Sequence, residues 1–202
     1  MADPFYIVLE GSEGCGKSTH AQRLGEAIGA VVTRETGGTP IGQRLRAILH
    51  DTTVLDLDDR AETLIVAADR AQHMAEVVRP ALTAGRHVVS DRSVYSTLAY
   101  QGYGRGLPID EVRRINEWAM GEIWPDLVVL LTIPPDVTAA RMQRRQLDRF
   151  EQAGDDFHAR VERGFAAMAA AEPARWVVVD GTRPKDEVAA VIRGAVTERL
   201  GL

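Results

Sequence analysis

Short runs of continuous apolar residues alternate along the chain with longer stretches whose apolar residues return every three or four positions. Phe5–Leu9 reads FYIVL, which has the length and pattern of a strand buried on both faces. Glycines follow it, then a helical stretch from about Lys17 to Ile28. Val31 and Val32 predict a short strand, and Ile41–Leu49 a helix. A long helix is expected from about Asp59 to Ala84, with Leu64, Ala68, Ala71, Ala75 and Val78 as its inward stripe. His87–Ser90 is a short strand ending at Asp91, and helical segments follow near Val94–Tyr100 and Ile109–Gly121. Leu127–Ile133 is another buried strand, and a helix is expected over Asp136–Arg145. Phe157–Ala171 is helical, Arg175–Val179 is the last strand, and the spacing of Val188 to Val196 predicts a terminal amphipathic helix. Strands joined through helices imply parallel neighbours. The expected fold class is α/β: a three-layer α/β/α sandwich with a five-stranded parallel sheet, in one domain over residues 1–202.

The turn after the first strand carries the most specific chemistry. Gly11-Ser12-Glu13-Gly14-Cys15-Gly16-Lys17-Ser18, followed by Thr19, satisfies G-x-x-x-x-G-K-[ST] between a strand and a helix. Glycines let backbone N–H groups turn inward toward phosphate oxygens, and the helix N-terminus adds positive potential there. Lys17 can reach the β- and γ-phosphates, and the Ser18 hydroxyl can ligate Mg²⁺. Cys15 is a small filler in the loop. Asp91, at the end of a buried strand, stands where such proteins place the carboxylate of the metal shell.

A phosphate loop specifies a nucleoside triphosphate and leaves the acceptor open. A guanine-reading Asn-Lys-x-Asp is absent. Arg141, Arg144, Arg145 and Arg149 are crowded together, and the first three share a helix face by i, i+3, i+4 spacing. Such a run is as often a solvated charged face. As a functional feature it reads as a mobile lid, at about 141–156, that brings guanidinium groups to a transferring phosphoryl group.

Charge sharpens this picture. Lys+Arg is 24 and Asp+Glu is 29, a net charge of −5, which disfavours a binder of polymeric nucleic acid or anionic membrane. Lysine occurs only at Lys17 and Lys185, so the loop lysine stands out in a chain that otherwise uses arginine. Cys15 is the one cysteine, which excludes an internal disulfide and makes a reducing, cytoplasmic setting the expectation. The first residues lack a signal-peptide pattern, and no apolar run approaches a membrane span.

Further segments give the chain a family resemblance. Leu9–Thr19 (LEGSEGCGKST), Thr33–Thr39 (TRETGGT), Ala67–His73 (AADRAQH), Asp91-Arg92-Ser93, Ser96–Gly106 (STLAYQGYGRG) and Asp148-Arg149-Phe150-Glu151 occur in order. Together they resemble the thymidylate kinases, P-loop nucleoside-monophosphate kinases that act on dTMP, over nearly the whole chain. The resemblance implies ATP as phosphoryl donor, Mg²⁺, dTMP as acceptor and a homodimer with the long helix of Arg70 near the interface. It implies that Glu13 approaches the sugar 3′-hydroxyl, and that Arg70 hydrogen-bonds the thymine carbonyl. Thr97 and Gln101 would read the far edge of the base, and Tyr100 would crowd the 2′ position. Arg92 would hold the acceptor phosphate, with Arg34 and Arg46 helping, while Asp91 joins Ser18 in the metal shell. The loop lacks an arginine and the lid has several, as in the bacterial subtype whose catalytic arginines, here Arg141, Arg145 and Arg149, come from the lid.

Three positions depart from the family pattern. Thr36 replaces a common proline and is expected to be trans. Val66 replaces a phenylalanine that stacks on the base, and Ser93 a residue that is often aromatic or histidine. Asp91-Arg92-Ser93 is also similar to a motif of deoxynucleoside kinases, which phosphorylate a 5′-hydroxyl and would need Asp91 or Glu35 as base. A non-catalytic nucleotide-binding protein is the third reading. His20, His50, His87 and His158 are read as structural.

Overall fold

The computed structural model describes residues 3–142 and 147–202. Five strands form one parallel sheet in the order β2-β3-β1-β4-β5. They are β1 (Tyr6–Gly11), β2 (Val31–Arg34), β3 (Val88–Asp91), β4 (Leu127–Thr132) and β5 (Trp176–Asp180). The helices are α1 (Lys17–Ile28), α2 (Pro40–His50), α3 (Asp59–His73), α4 (Arg79–Thr83), α5 (Val94–Thr97), α6 (Ile109–Met120), α7 (Pro135–Met142), α8 (Asp155–Ala171) and α9 (Lys185–Leu200). Met74–Val78 is a π-helical link that makes α3 and α4 one continuous rod, and Leu98–Gly104 is a π-helical continuation of α5. The expected elements are thus present in the expected order.

The central strand shows how one apolar run serves two layers. Side chains of a strand alternate between faces. Tyr6 and Val8 therefore enter a core with Val66, Val78, Met120, Val161 and Phe165. Ile7 and Leu9 enter the opposite core with Ala21 and Leu24 of α1 and Val188, Ile192 and Val196 of α9. Helices cover both faces, so the sheet is the middle of three layers.

One expectation fails in a useful way. Leu64, Ala68 and Ala75 of the long helix face outward, whereas Glu62, Thr63, Val66, Asp69, Arg70 and His73 face inward. The inward face is largely polar because its side chains pair with neighbouring elements beside the site: Glu62 with Gln101, Arg105 and Arg149, Asp69 with the Gly37 N–H, and Arg70 and His73 with Glu35. Of the expected apolar stripe only Val78 reaches the core; Ala71 is half-buried and the other three lie on the surface. The fold puts the C-terminal ends of β1, β2 and β3 side by side, with Leu9 and Arg34 both in register with Asp91. Ligand sites of parallel sheets collect at such strand ends.

Candidate active site

The loop leaving β1 fits only glycine at its start. A Cβ on Gly11 would lie 2.3 Å from the Leu131 carbonyl oxygen of the adjacent strand. Gly16 closes the loop in the left-handed region, φ 99°, and no side chain caps α1. The first-turn N–H groups of α1 are thus available to an anion. Lys17 is folded over the loop, its Nζ donating to the Ser12 carbonyl at 2.7 Å and lying 3.6 Å from Cys15 Sγ. Cys15 is buried, as its filler role requires.

The Ser18 hydroxyl donates to Asp91 Oδ2, joining α1 to the end of β3. Asp91 Oδ1 is buried with no hydrogen-bond partner among the described residues. A hydroxyl beside a carboxylate with a spare oxygen is a hard-oxygen donor set, and Mg²⁺ asks for no more than one or two protein ligands beside phosphate and water.

A cavity of about 660 Å³, its open mouth included, adjoins the loop, and Glu13, Arg46, Val66, Arg70, Arg92, Thr97, Tyr100 and Gln101 are among its lining residues. The structure therefore brings together nearly all the substrate residues expected from the sequence. Arg92 links cavity and loop. Its Nη1 donates to the Gly11 carbonyl and the Ser96 hydroxyl, both at 3.0 Å, and its Nη2 to Glu13 Oε1 at 2.5 Å. Tyr100 donates to the same Glu13 oxygen at 3.1 Å, and the Arg92 guanidinium lies 5.1 Å from the Tyr100 ring centre. Burial alone would raise the Glu13 pKa, but the Arg92 and Lys17 charges outweigh it and hold the carboxyl at about 2.

Beneath this cluster sits Glu10, wholly buried, which accepts from the Ser93 and Ser96 N–H groups and the Ser96 hydroxyl. Burial pushes its pKa up to about 7 against the pull of Arg92. Arg70 is buried in a second network. Its Nε donates to Glu35 Oε2 at 2.9 Å, its Nη2 lies 2.9 Å from the same oxygen in an ion pair, and its Nη1 donates to Asn116 Oδ1. His73 joins Glu35 Oε1 at 2.8 Å and Thr33 Oγ1 at 2.7 Å. The five guanidinium N–H groups exceed these contacts, so Arg70 keeps donor capacity toward the cavity it lines.

Arg34 is exposed beside Asp91 and outside the main cavity, whereas Arg46 reaches it and donates to the Thr36 carbonyl and hydroxyl at 3.2 Å. The Glu35–Thr36 peptide is cis, correcting the expected trans bond. Thr36 is gripped by Arg46 while the next N–H, of Gly37, is held by Asp69 at 2.9 Å.

The lid arginines separate. Arg141 meets the loop, donating to the Gly14 carbonyl at 2.9 Å and that of Gly181 at 3.3 Å. Arg149 turns elsewhere: it donates to the buried Glu62 and to the Leu49 carbonyl. Arg145, like Arg144, lies outside the described residues. The sequence reading missed two partners of this segment. His50 Nδ1 and Asp148 Oδ2 are 2.6 Å apart at the cavity rim, so His50 has a site partner after all. Asp148 also accepts from the N–H groups of Phe150 and Glu151, which fixes the turn there. No local spacing announces a pair 98 positions apart.

A family model described as thymidylate kinase matches residues 9–192. A protein named thymidylate kinase from Solidesulfovibrio magneticus is 46% identical over 208 residues, covering 96% of this chain and 100% of its own. One of the same name from Deinococcus radiodurans is 46% identical over 205 residues, covering 98% of this chain and 99% of its own. The crystal structure of thymidylate kinase from Ehrlichia chaffeensis superposes with a TM-score of 0.76 at 26% identity, covering 96% of this chain and 98% of its own. Loop, cavity and relatives agree along almost the whole length, and the chain belongs to the thymidylate kinase family.

Proposed function

We propose that the chain transfers the terminal phosphoryl group of ATP to the phosphate of dTMP, giving ADP and dTDP. One observation carries this reading: Arg92 touches the phosphate loop at Gly11 and lines the neighbouring cavity. A phosphorylated ligand in that cavity would meet a guanidinium that also abuts the donor site. ATP phosphates would lie on Gly11–Ser18 with Lys17 on the β- and γ-phosphates. The acceptor phosphate would lie on Arg92, with Arg46 and Arg34 adding positive charge.

In the cavity, Arg70 would meet a base carbonyl, and Thr97 and Gln101 the opposite edge. Val66 would pack on the ring, Tyr100 would exclude a 2′-hydroxyl and Glu13 would accept from the 3′-hydroxyl. Ser18 and Asp91 would hold Mg²⁺, which neutralises phosphate charge when bound. An acceptor phosphate is mostly ionised near neutral pH. The protein's task is then to align and to stabilise charge, without a strong base. Of the described lid arginines Arg141 would do this, a role supported by its contact with the loop carbonyl of Gly14. Arg149, tied to Glu62, acts instead to hold the segment 147–156 over the cavity.

The nucleoside-kinase reading loses ground because Glu35 is committed to Arg70 and His73, and Asp91 to Ser18. The reading includes a cytoplasmic homodimer; for the dimer, the exposed Leu55 (91%), Leu64 (56%) and Trp118 (85%) are apolar surface that a second copy could cover. Among the described residues, no helix is long and apolar enough to cross a membrane. Incubation with ATP, Mg²⁺ and dTMP should yield dTDP and ADP in equal amounts, and Lys17→Ala should abolish both. ADP formed without dTDP would contradict the proposal.

A further inference from the structure

Glu62 of α3 is wholly buried and bound on both oxygens. Gln101 Nε2 donates to Oε1 at 2.8 Å. Arg105 donates to Oε1 at 3.3 Å and to Oε2 at 3.0 Å, and Arg149 donates to Oε2. Guanidinium groups can only donate, so the carboxylate they share acts as an acceptor, and the amide end of Gln101 that faces it must be the NH₂. The network therefore fixes which way the amide is turned. Gln101 is buried and lines the cavity, and among the described residues nothing donates to its Oε1. One helical turn earlier, Thr97 Oγ1 is also buried without a partner among the described residues and lines the same cavity.

We propose that Glu62 is a positioning residue that sets base choice: by holding the Gln101 nitrogen, it presents the Gln101 oxygen as an acceptor to the pyrimidine edge. The inference rests on the phosphotransferase reading and names the bases its acceptor site takes. A 4-oxo pyrimidine has a ring N–H at position 3 that satisfies a fixed acceptor. A 4-amino pyrimidine has a lone pair there, leaving two acceptors face to face and unpaired. The Thr97 hydroxyl can donate or accept and does not discriminate alone. Nucleotides of thymine and uracil are thus favoured over those of cytosine.

The test is kcat/KM for dTMP and for dCMP in wild type, Glu62→Gln, Gln101→Met and the double variant. A glutamine at 62 can donate or accept, which frees the Gln101 amide to turn over. The dTMP-to-dCMP ratio should fall at least about tenfold in Glu62→Gln, the scale of one lost or mispaired hydrogen bond. In the Gln101→Met background, Glu62→Gln should change the ratio by less than about twofold. Glu62→Asp keeps the charge that Arg105 and Arg149 need while retracting from Gln101, and it should lower the ratio in the same direction. A ratio unchanged in both Glu62 variants, or an effect that persists without the Gln101 amide, would overturn the inference while leaving phosphoryl transfer intact. A wild-type chain that forms no dTDP would instead remove the phosphotransferase reading.

Discussion

Arg92 and Glu13 stand 2.5 Å apart, one at the end of β3 and the other inside the phosphate loop, with Tyr100 donating to the same carboxylate oxygen. Burial works against the ionised Glu13, and the Arg92 and Lys17 charges more than offset it, so its pKa falls from 4.5 to about 2. A depressed carboxyl stabilises the fold above its unfolded pKa and loses that contribution as pH falls through the folded value. The stability difference between wild type and Glu13→Gln should therefore shrink as pH is lowered from about 4.5 toward 2. Denaturant midpoints across that range measure it; a constant difference would mean that Arg92 does not hold the carboxylate.

Glu10 should behave in the opposite sense. Burial raises its pKa to about 7, so the folded state keeps a proton that the unfolded state releases from pH 4.5 upward. Stability should then decline between about pH 4.5 and 7 on account of this residue, and Glu10→Gln should remove that decline. The variant keeps acceptors for the Ser93 and Ser96 N–H groups. Parallel denaturation curves at pH 5 and 8 provide the check, with the wild type losing ground to the variant at pH 8.

Arg70→Ala should do more than weaken substrate binding. It would leave Glu35 buried with His73 as its remaining side-chain partner and strip Asn116 of its donor. Breaking a buried pair by removing one partner costs about 3–5 kcal/mol. A lowered melting temperature together with a raised KM for dTMP is expected. A raised KM at unchanged stability would show that the Glu35 pairing contributes little to the fold.

The contrast between Gly11–Ser18 and Glu62 explains what was legible in the sequence. The phosphate loop is contiguous, and its glycines, lysine and hydroxyl are required by local geometry, so spacing alone identifies it. The buried parallel strands are equally plain because both their faces are apolar. The inward face of α3 is not legible in the sequence, since periodicity tracks apolarity and there Glu62, Asp69, Arg70 and His73 are buried against polar partners from other elements. The crowding of arginines in the lid suggests one shared task, but Arg141 here meets the loop while Arg149 pairs with Glu62 and the Leu49 carbonyl. Its partner Glu62 lies 87 positions away, and only the folded chain shows that the cluster divides.

Val66 forms part of the cavity wall where an aromatic residue would stack on a base. Val66→Phe should lower the KM for dTMP, by up to about tenfold if the ring gains some 0.5–1.5 kcal/mol of stacking. Steady-state titration of dTMP decides this. An unchanged KM would mean that another group already covers the base, and a raised KM would mean that the larger ring overfills the cavity.

The central claim is that a phosphate, and not a hydroxyl, receives the phosphoryl group. Its most direct test is the rate of ADP release from ATP–Mg²⁺ with dTMP, with thymidine and with no acceptor, at equal concentrations. The account predicts rapid release with dTMP and near-background release in the other two. Faster release with thymidine than with dTMP, or the same rate in all three, would contradict it.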